Sequence, residues 1–380
     1  MKILLLGGTG AMGVPLCRLM KKEGHNITVT SRNNHRMEGI SFVKGNAMEI
    51  NFISKLLEVH YDAVVDFMIR SEEGTKAVMD IILRNCDQYI FLSSSRVFAP
   101  INIEDGERIT ENTPRLLDVC GDNKYTSSNE YAIEKAREEN LFFKSNYRNW
   151  TIVRPTLTYN INKFQFAYGE KEDWLFRVLN NHSIVFPKDM VNVKTTMVYG
   201  DDVAMAISKL IGNKKALGKA VNIVSEEYMT WGDILNIYKE VIEKKTGKKL
   251  KVVYIDNIEK LTKLTENYYQ VKYARAVDRC FSNKGLKEIV GNSDFISIKT
   301  GLTKSMTEFL ENIHFQEINW KKQALYDKIC NEKFSCKTMS SMKDTLRYLS
   351  YRYIADWILL IIRKIKFILK NIINKNNGFK

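Results

Sequence analysis

The sequence predicts an α/β protein built on a doubly wound parallel sheet, and two features of its first half support this prediction. Short apolar segments of strand type alternate with segments whose apolar residues recur at helical spacing, which is the order that a parallel sheet requires. A glycine-rich turn, Gly7-Gly-Thr-Gly10-Ala-Met-Gly13, directly follows the first apolar segment. Such a turn between a strand and a helix holds the pyrophosphate of a dinucleotide on the helix N-terminus, so a Rossmann-type sheet is expected.

The elements of this sheet can be placed in order along the chain. Strands are predicted over residues 2–6, 26–30, 40–44, 62–68, 88–93 and 150–155. Helices are predicted after Gly13 and over residues 52–59, 74–84 and 131–141. The polar segment 106–122, which Pro114 interrupts, is expected to pass near the active site. The ligand crevice of such a sheet lies at the carboxyl ends of its strands.

Length and composition allow more than this one sheet. A chain of 380 residues with 44% hydrophobic content can form a large domain and a smaller C-terminal substrate lobe. We expect a dinucleotide-binding domain over 1–155, whose core also uses segments around 191–225. A substrate-binding lobe is expected over 156–315, and a basic helical tail over 316–380.

The six cysteines are scattered, with no CxxC pair and no histidine at ligand spacing. We therefore expect no disulfide, no metal site and a cytoplasmic location. The apolar run at the start of the chain is too short for a signal peptide and leads into the glycine-rich turn, so a buried first strand is the better interpretation.

The positive charge is concentrated at the end of the chain. Residues 320–380 hold 14 Lys and Arg against four Asp and Glu, and so contribute +10 of the net +14. In a helical projection of 354–375, eight Ile and Leu residues share one side and five Lys and Arg residues the other. This amphipathic pattern favours peripheral contact with the inner face of an anionic membrane. A helix that packs on the domain or on a second subunit remains the alternative, so a homodimer stays open.

Tyr131 and Lys135 have the spacing that places two side chains on one face of a helix. There the ammonium can favour the phenolate form of the tyrosine. Ser93-Ser94-Ser95 stands at the end of an apolar run earlier in the chain. With a serine hydroxyl nearby, the tyrosine can be the acid/base group of hydride-transfer chemistry.

The ordered set of motifs resembles the extended short-chain dehydrogenase/reductase family of nucleotide-sugar epimerases, dehydratases and reductases. The resemblance runs from residue 1 to about 312. It rests on the glycine-rich turn, the serine run, Tyr131 with Lys135, Arg154-Pro155, Tyr199-Gly-Asp-Asp202-Val-Ala204 and Asn222-Ile-Val-Ser225. It implies an NAD(P)-dependent epimerase or reductase that acts on a nucleotide sugar, in the synthesis of surface-polysaccharide precursors.

The resemblance also assigns residue roles. Tyr131 is the implied general acid or base, Lys135 binds the nicotinamide ribose and lowers the tyrosine pKa, and Ser94 orients the substrate oxygen, with Ser95 as the alternative. The implied cofactor contacts are Gly7, Thr9, Gly10, Ala11, Met12, Gly13, Ser31, Arg32, Asn46, Phe67, Lys135 and Pro155.

The end of the second strand bears on the choice of cofactor. NAD enzymes need an acidic residue there for the ribose 2′-hydroxyl, whereas a cation suits the 2′-phosphate of NADP. This chain reads Thr30-Ser31-Arg32-Asn33, without a carboxylate. NADP is therefore favoured, and NAD stays open if Arg32 stacks on the adenine or faces solvent.

Two departures from the family pattern qualify the functional prediction. Sugar dehydratases place Asp-Glu after the catalytic hydroxyl, but this chain has Ser95-Arg96, so dehydration lacks its acid and base. Asp66 in the fourth strand is similar to an atypical branch that includes chloroplast RNA-binding proteins; it is either a substrate contact or a structural anchor. The alternative function is thus a non-catalytic RNA-binding or other binding protein. We favour the enzyme and expect no nucleic acid, because the chain before the tail is nearly neutral.

Overall fold

The structure, a computed structural model, describes residues 1–100, 106–263, 267–292, 294–354 and 358. Its strands are β1 (Lys2–Leu6), β2 (Asn26–Ser31), β3 (Ser41–Lys44), β4 (Tyr61–Asp66), β5 (Cys86–Leu92), β6 (Trp150–Pro155), β7 (Leu157–Tyr159), β8 (Gln165–Phe166), β9 (Gly169–Glu170), β10 (Ile184–Pro187), β11 (Lys194–Thr195), β12 (Met197–Tyr199), β13 (Lys219–Ile223), β14 (Met229–Thr230) and β15 (Val252–Ile255). Seven of them form one parallel sheet in the order β3-β2-β1-β4-β5-β6-β13. This confirms the predicted doubly wound parallel sheet.

Helices cover both faces of the sheet and continue through the second half of the chain. They are α1 (Gly13–Lys22), α2 (Ile50–Leu56), α3 (Glu72–Arg84), α4 (Leu116–Val119), α5 (Asn123–Thr126), α6 (Tyr131–Phe143), α7 (Lys171–Leu179), α8 (Gly200–Leu210), α9 (Trp231–Thr246), α10 (Tyr268–Gln270), α11 (Lys284–Val290), α12 (Ile298–Glu311), α13 (Trp320–Cys330) and α14 (Met342–Tyr353).

The first strand shows why these segments were recognisable in the sequence. Successive side chains of a strand point to opposite faces. Ile3 and Leu5 pack in the core shared with α1 and α8, whereas Leu4 and Leu6 pack in the core shared with α2, α3 and α6. Because both faces are buried, the strand reads as a continuous apolar run and not as an alternating one.

Several strand ends differ from the prediction by one or two residues; β5, for example, spans Cys86–Leu92 and not 88–93. Two differences change the course of the chain. The fourth strand ends at Asp66 and not at residue 68, because the Asp66 carboxylate accepts a hydrogen bond from the Met68 amide and turns the chain. The edge strand β13 was expected only as part of a core segment returning around 191–225. It pairs in parallel with β6, and so brings the chain back to the sheet after the lobe has begun.

A smaller lobe follows the sheet, as predicted. Its short strands pair in twos, β7 with β12, β8 with β9, β10 with β15 and β11 with β14. Its core holds many aromatic side chains, including Phe166, Trp174, Trp231 and Tyr238, all buried. Trp174 stacks on Tyr238 with their ring centres 4.7 Å apart.

The first part of the predicted tail folds onto this lobe. Trp320, Phe334 and Tyr348 form a buried cluster between α13 and α14. Arg177 of α7 donates to Asp327 of α13 over 2.8 Å, and both side chains are fully buried. Residues 316–354 thus belong to the globular body. The amphipathic segment 354–375 lies, apart from residues 354 and 358, outside the described residues.

Asp327 also belongs to a cluster of metal-ligand type with His182 and Glu332. A guanidinium already occupies its centre, since Arg177 contacts both carboxylates and His182 stacks on Phe334. We therefore interpret the cluster as an ion-pair network that docks α13. Within the described part of the chain, no helix combines the length and the apolar character needed to cross a membrane.

Candidate active site

The glycine-rich turn brings the start of α1 against the end of β1. Gly7 has a φ of +73°, and a Cβ there would lie 2.6 Å from the Met68 sulfur. A Cβ on Gly13 would lie 2.5 Å from the carbonyl group of Gly8. Only glycine allows both the left-handed conformation and this close approach of helix and loop. The N-terminus of α1 therefore meets the turn, where free amides and the helix dipole favour a phosphate group.

A cavity of about 460 Å³ opens beside this turn. Its lining includes the turn, the end of β2, the segment after β3 and the end of β4. Arg32 and His35 are exposed in this lining, and no Asp or Glu is among its residues. The donor set and the cradle that only glycine permits fit a nicotinamide dinucleotide, with its adenosine half at Arg32.

The predicted cofactor contacts fall into four groups. Gly7, Thr9, Ser31, Arg32, Asn46 and Phe67 line the cavity beside the turn. Gly10 and Ala11 line an adjoining cavity of about 430 Å³. Met12 and Pro155 line the cavity that contains Tyr131, described next. Gly13 begins α1, and Lys135 is not among the lining residues of these cavities.

A cavity of about 470 Å³ at the carboxyl ends of β5 and β6 holds the predicted catalytic residues. It shares Ile69 with the cofactor cavity, so the two adjoin. Ser94 and Tyr131 both line it, and the Ser94 hydroxyl acts to lower the pKa of the Tyr131 phenol. The structure thus brings together the hydroxyl and the phenol that the sequence predicted 37 positions apart.

The other two serines of the run have structural partners. Ser93 donates to the buried Glu139 over 2.6 Å, and Glu139 also receives two hydrogen bonds from Arg154, of 2.7 and 2.8 Å. The Ser95 carbonyl accepts a hydrogen bond from Arg279. Ser95 also lines this cavity, and its contact with Arg279 is made by its backbone. The Ser94 hydroxyl is among the groups that act on the pKa of Tyr131, which favours Ser94 over Ser95.

The acidity of Tyr131 differs from the expectation. Burial, together with the carboxylates of Glu138 and Glu130, raises the pKa of Tyr131 to about 12. The guanidinium of Arg96, 5.2 Å from the ring centre, and the Ser94 hydroxyl oppose this rise without cancelling it. The sequence had predicted that Lys135 would lower this pKa.

The position of Lys135 explains the difference. Its ammonium lies 2.9 Å from the Glu138 carboxylate and 4.5 Å from the centre of the Phe91 ring, and its side chain is 1% exposed. Glu138 is itself fully buried and also accepts a hydrogen bond from Thr75. The positive charge of Lys135 is therefore balanced within α6 and does not act alone on Tyr131.

Asp66 proves to be an anchor. Its carboxylate receives hydrogen bonds from Arg70 and from the Tyr89 hydroxyl, the latter of 2.8 Å, and is fully buried. Arg70 also donates to the Ala47 carbonyl over 2.7 Å. Asp66 is not among the residues lining either cavity, and its partners tie the end of β4 to β5 and to the segment after β3.

Two arginines that sequence reasoning missed line the Tyr131 cavity. Arg275 donates to the Gln165 amide oxygen over 2.8 Å, and Arg279 donates to the carbonyls of Phe98 and Ser95. Both side chains are more than 90% buried, yet no carboxylate of the described residues forms an ion pair with either. Burial and the nearby charge of Arg96 lower both pKa values to about 9, although the Glu170 carboxylate acts to raise that of Arg275.

Two buried guanidinium groups without a charged partner destabilise the folded protein, and a bound anion would offset this destabilisation. Buried charges are normally paired, and leaving one unpaired is unfavourable. Arg275 ends a π-helical turn, Val271–Arg275, a feature often found at functional sites. No local motif marks these arginines, since they lie 144 and 148 residues after Tyr131 and reach the cavity only through the packing of the lobe. The site can therefore hold an anion beside a phenol–hydroxyl pair.

Comparisons with known proteins agree with this geometry. Residues 3–224 match the sequence model of the NAD dependent epimerase/dehydratase family. The chain is 26% identical over 248 residues to the chloroplast stem-loop binding protein of 41 kDa b of Arabidopsis thaliana, covering 60% of each chain. It is 22% identical over 246 residues to 2'-dehydrokanamycin reductase of Streptomyces kanamyceticus, covering 62% of this chain and 64% of that one. The similarity thus spans less than two thirds of either relative.

A solved structure extends the similarity over most of the fold. UDP-glucuronic acid 4-epimerase from Bacillus cereus, in complex with UDP-glucuronic acid and NAD, aligns with a TM-score of 0.60 at 16% identity. The alignment covers 83% of this chain and 100% of that chain. At this identity the likeness concerns the fold.

The arginine pair can be tested by ligand-induced stabilisation. Inorganic pyrophosphate should raise the thermal unfolding midpoint of the wild type, because a ligand at one hundred times its Kd adds about 2.7 kcal/mol to folding stability. Arg275→Gln should lose most of this gain. Arg108→Gln, which changes an arginine outside the lining of the Tyr131 cavity, is the matched control.

Pyrophosphate on the glycine-rich turn would affect both variants equally, so the difference between them isolates the arginine site. Equal stabilisation of Arg275→Gln and the control would contradict an anion site at Arg275.

Proposed function

The chain belongs to the NAD dependent epimerase/dehydratase family, and we propose that it is an NAD(P)-dependent oxidoreductase or epimerase that acts on a nucleotide-activated sugar. One observation carries the proposal. The cavity that holds Ser94 and Tyr131 is lined on its lobe side by Arg275 and Arg279, two buried cations without a carboxylate partner among the described residues. A diphosphate is the group that would compensate them, and guanidinium groups bind phosphate oxygens through paired N–H donors.

The two sides of this cavity support a division of labour. The arginines would hold the diphosphate, which places the attached sugar toward the strand ends. Ser94 and Tyr131 are there, next to the cofactor cavity. Contacts with a remote anionic group of the substrate hold the reacting carbon in place. These contacts do not have to change during the reaction.

The chain's own residues supply the proton chemistry. A bound nicotinamide ring would supply or accept the hydride at the sugar carbon. Tyr131 would give its phenol proton to the substrate oxygen, or take one from it, depending on direction. Ser94 would hold the same oxygen through its hydroxyl, and so fix the distance to Tyr131.

Dehydration is not part of the proposal. Arg96 occupies a position where elimination would need a carboxylate, and its guanidinium pairs with Glu130 and lies over the Tyr131 ring. A cation there adds to the positive charge of the cavity and cannot remove a proton from the sugar.

We propose NADP as the cofactor, with NAD as the alternative. The support is the lining beside the end of β2, which contains Arg32 and His35 and no carboxylate. The similar solved structure from Bacillus cereus holds NAD, which supports NAD as the alternative.

An RNA-binding function is the second candidate, because one relative is named as a stem-loop binding protein. The intact Ser94–Tyr131 pair favours the enzyme. A fluorescent stem-loop RNA offered to the full chain and to a form ending at residue 354 separates the two. Binding by both forms, displaced by neither NADPH nor pyrophosphate, would support the RNA-binding function.

For the location of the protein we propose the cytoplasm, at the inner face of the membrane where precursors of surface polysaccharides are used. The exposed side of α14 supports this. Met342, Leu346 and Tyr353 are 76%, 60% and 56% exposed and lie on one stripe of the helix, beside the exposed cations Lys343 and Arg347. The basic amphipathic segment 354–375 follows directly in the sequence. A homodimer stays open.

The catalytic assignment predicts a graded loss of turnover. Tyr131→Phe should lower the rate of NADPH oxidation with nucleotide ketosugars by about 10²–10⁴-fold, because it removes a positioned general acid. Ser94→Ala should lower it less, and Ser95→Ala should leave it near the wild type. The measurement is cofactor absorbance, with calorimetry to show that NADPH binding is unchanged. Wild-type turnover by Tyr131→Phe would refute the assignment.

The cofactor proposal predicts the effect of a charge reversal. Arg32→Asp should weaken NADPH binding by a few kcal/mol, because repulsion replaces a charge-assisted contact with the 2′-phosphate, and should change NADH binding little. Calorimetric titration of both cofactors measures this. Arg36→Asp, which changes an exposed arginine outside the cofactor-cavity lining, is the control. Tighter binding of NADH than of NADPH by the wild type would show that NAD is the cofactor.

The membrane proposal predicts binding to anionic vesicles. The full chain should sediment with phosphatidylserine-containing liposomes at low salt and release partly at high salt, because each cation near the surface contributes about 1 kcal/mol. A form ending at residue 354 keeps Tyr348 and α14, and should fold but lose most of the binding. In that shortened form, Leu346→Ser should weaken the remaining liposome binding further. If the full chain ignores liposomes, the segment is an interface helix.

A further inference from the structure

Lys163 is a cation that borders both parts of the proposed active site. It lines the cavity that holds Tyr131, and it also lines the adjoining cavity of about 430 Å³ beside Gly10 and Ala11. Within the described part of the chain, no other residue lines both of these cavities. The proposed chemistry uses the arginine pair on one side and the glycine-rich turn on the other, and it assigns Lys163 no role.

The segment that carries Lys163 is attached to both sides. Three residues before it, the Asn160 side-chain amide donates to the Ala11 carbonyl of the glycine-rich turn over 3.0 Å. Two residues after it, the Gln165 amide oxygen accepts a hydrogen bond from Arg275 over 2.8 Å. The segment therefore spans the distance between the turn and the arginine pair, and Lys163 stands between these two contacts.

A tight turn fixes the backbone of Lys163. The amide and carbonyl groups of Asn160 and Lys163 exchange two hydrogen bonds, of 3.1 and 3.0 Å. The Asn160 side chain also accepts a hydrogen bond from the Asn162 amide over 2.9 Å, and the next residue, Phe164, is fully buried in the core of the lobe. Lys163 itself is exposed, so its flexible four-carbon stem can direct the ammonium while the backbone stays in place.

The positive charge of Lys163 is not balanced by a carboxylate. The two cavity linings contain three carboxylates, and each accepts a hydrogen bond from another side chain: Glu130 from Arg96, Glu170 from Gln165 and Glu172 from Lys171. Among the described residues, no Asp or Glu forms an ion pair with Lys163. The ammonium is therefore available to a ligand.

The proposed function brings two anionic groups to this region. The pyrophosphate of the dinucleotide would lie on the glycine-rich turn, and the diphosphate of the substrate at Arg275 and Arg279. An ammonium group binds phosphate oxygens as a point charge, and its three N–H donors can serve more than one phosphate group. Lys163 borders the places of both groups, with its charge unpaired.

We propose that Lys163 is a positioning residue that binds both the pyrophosphate of the cofactor and the diphosphate of the substrate. This inference rests on the proposed function. By holding both groups at one ammonium, Lys163 would limit their separation, and so help to set the reacting sugar carbon against the nicotinamide ring. A cation that served only one of the ligands could not do this.

The affinities of the full chain for two probes test the proposal. Calorimetric titration gives the Kd for NADPH, and then the Kd for inorganic pyrophosphate in NADPH-saturated protein, where the cofactor occupies the glycine-rich turn. Lys163→Met should weaken binding of each probe by about tenfold, because each loses a charge-assisted contact. Lys163→Arg should restore most of both affinities. Lys304→Met, which changes an exposed lysine outside both cavity linings, should change neither.

The pattern across variants separates a shared cation from one that serves a single site. Arg32→Asp should weaken only NADPH, and Arg275→Gln only pyrophosphate. Without ligands, Lys163→Met should unfold at the wild-type midpoint, because Lys163 is exposed. Wild-type affinity of Lys163→Met for either probe would overturn the inference and leave the proposed function intact. If the wild type binds no pyrophosphate once NADPH is bound, the anion site of the proposed function is contradicted, and the inference with it.

Discussion

An ionised group buried at the carboxyl edge of the sheet costs free energy unless it is paired, and most of the site follows from how this chain pairs such groups. Asp66 pairs with Arg70, Glu138 with Lys135, and Glu139 with Arg154. The first pair lies at the end of β4, the second lies on α6, and the third joins α6 to the end of β6. A buried pair adds little net stability, but removal of one partner is costly, so such pairs fix the positions of the segments. The serine run and Tyr131 lie between these fixed points.

The two arginines of the lobe that line the cavity differ from these paired groups. Arg275 and Arg279 are as buried as the paired groups, yet their described partners are an amide oxygen and backbone carbonyls. The cavity therefore has a positive side and a hydroxyl side. This asymmetry supports a substrate with an anionic group attached to a sugar. The same cavity includes Arg96 at a position where an elimination catalyst would need a carboxylate. The replacement of the family's Asp-Glu by Ser95-Arg96 and the positive charge of the cavity both argue against dehydration.

The parts of the fold that the sequence predicted are those encoded in local patterns. The first strand was predicted at its observed bounds because both of its faces are apolar, and the turn after it because glycine alone tolerates the conformation at Gly7 and the approach at Gly13. Tyr131 and Ser94 were predictable through spacing and order. The direction of the Lys135 side chain was not, because it depends on Thr75 and Glu138 in the folded core. The contacts of Arg275 and Arg279 in the cavity, and the contact between Asp327 and Arg177, each join residues that are more than 100 positions apart. The periodicity of a sequence carries no information about such distant contacts.

The transfer of an isotopic label would test the central claim most directly. The full chain would be incubated with NADPH deuterated at the transferable position and with a set of nucleotide ketosugars, and the products would be weighed by mass spectrometry. The account predicts that one nucleotide sugar gains a single deuterium at the former carbonyl carbon, and that Tyr131→Phe abolishes the gain. If no sugar gains deuterium although the protein binds both NADPH and the nucleotide sugars, the protein does not reduce nucleotide ketosugars, and the reductase form of the proposed function is contradicted.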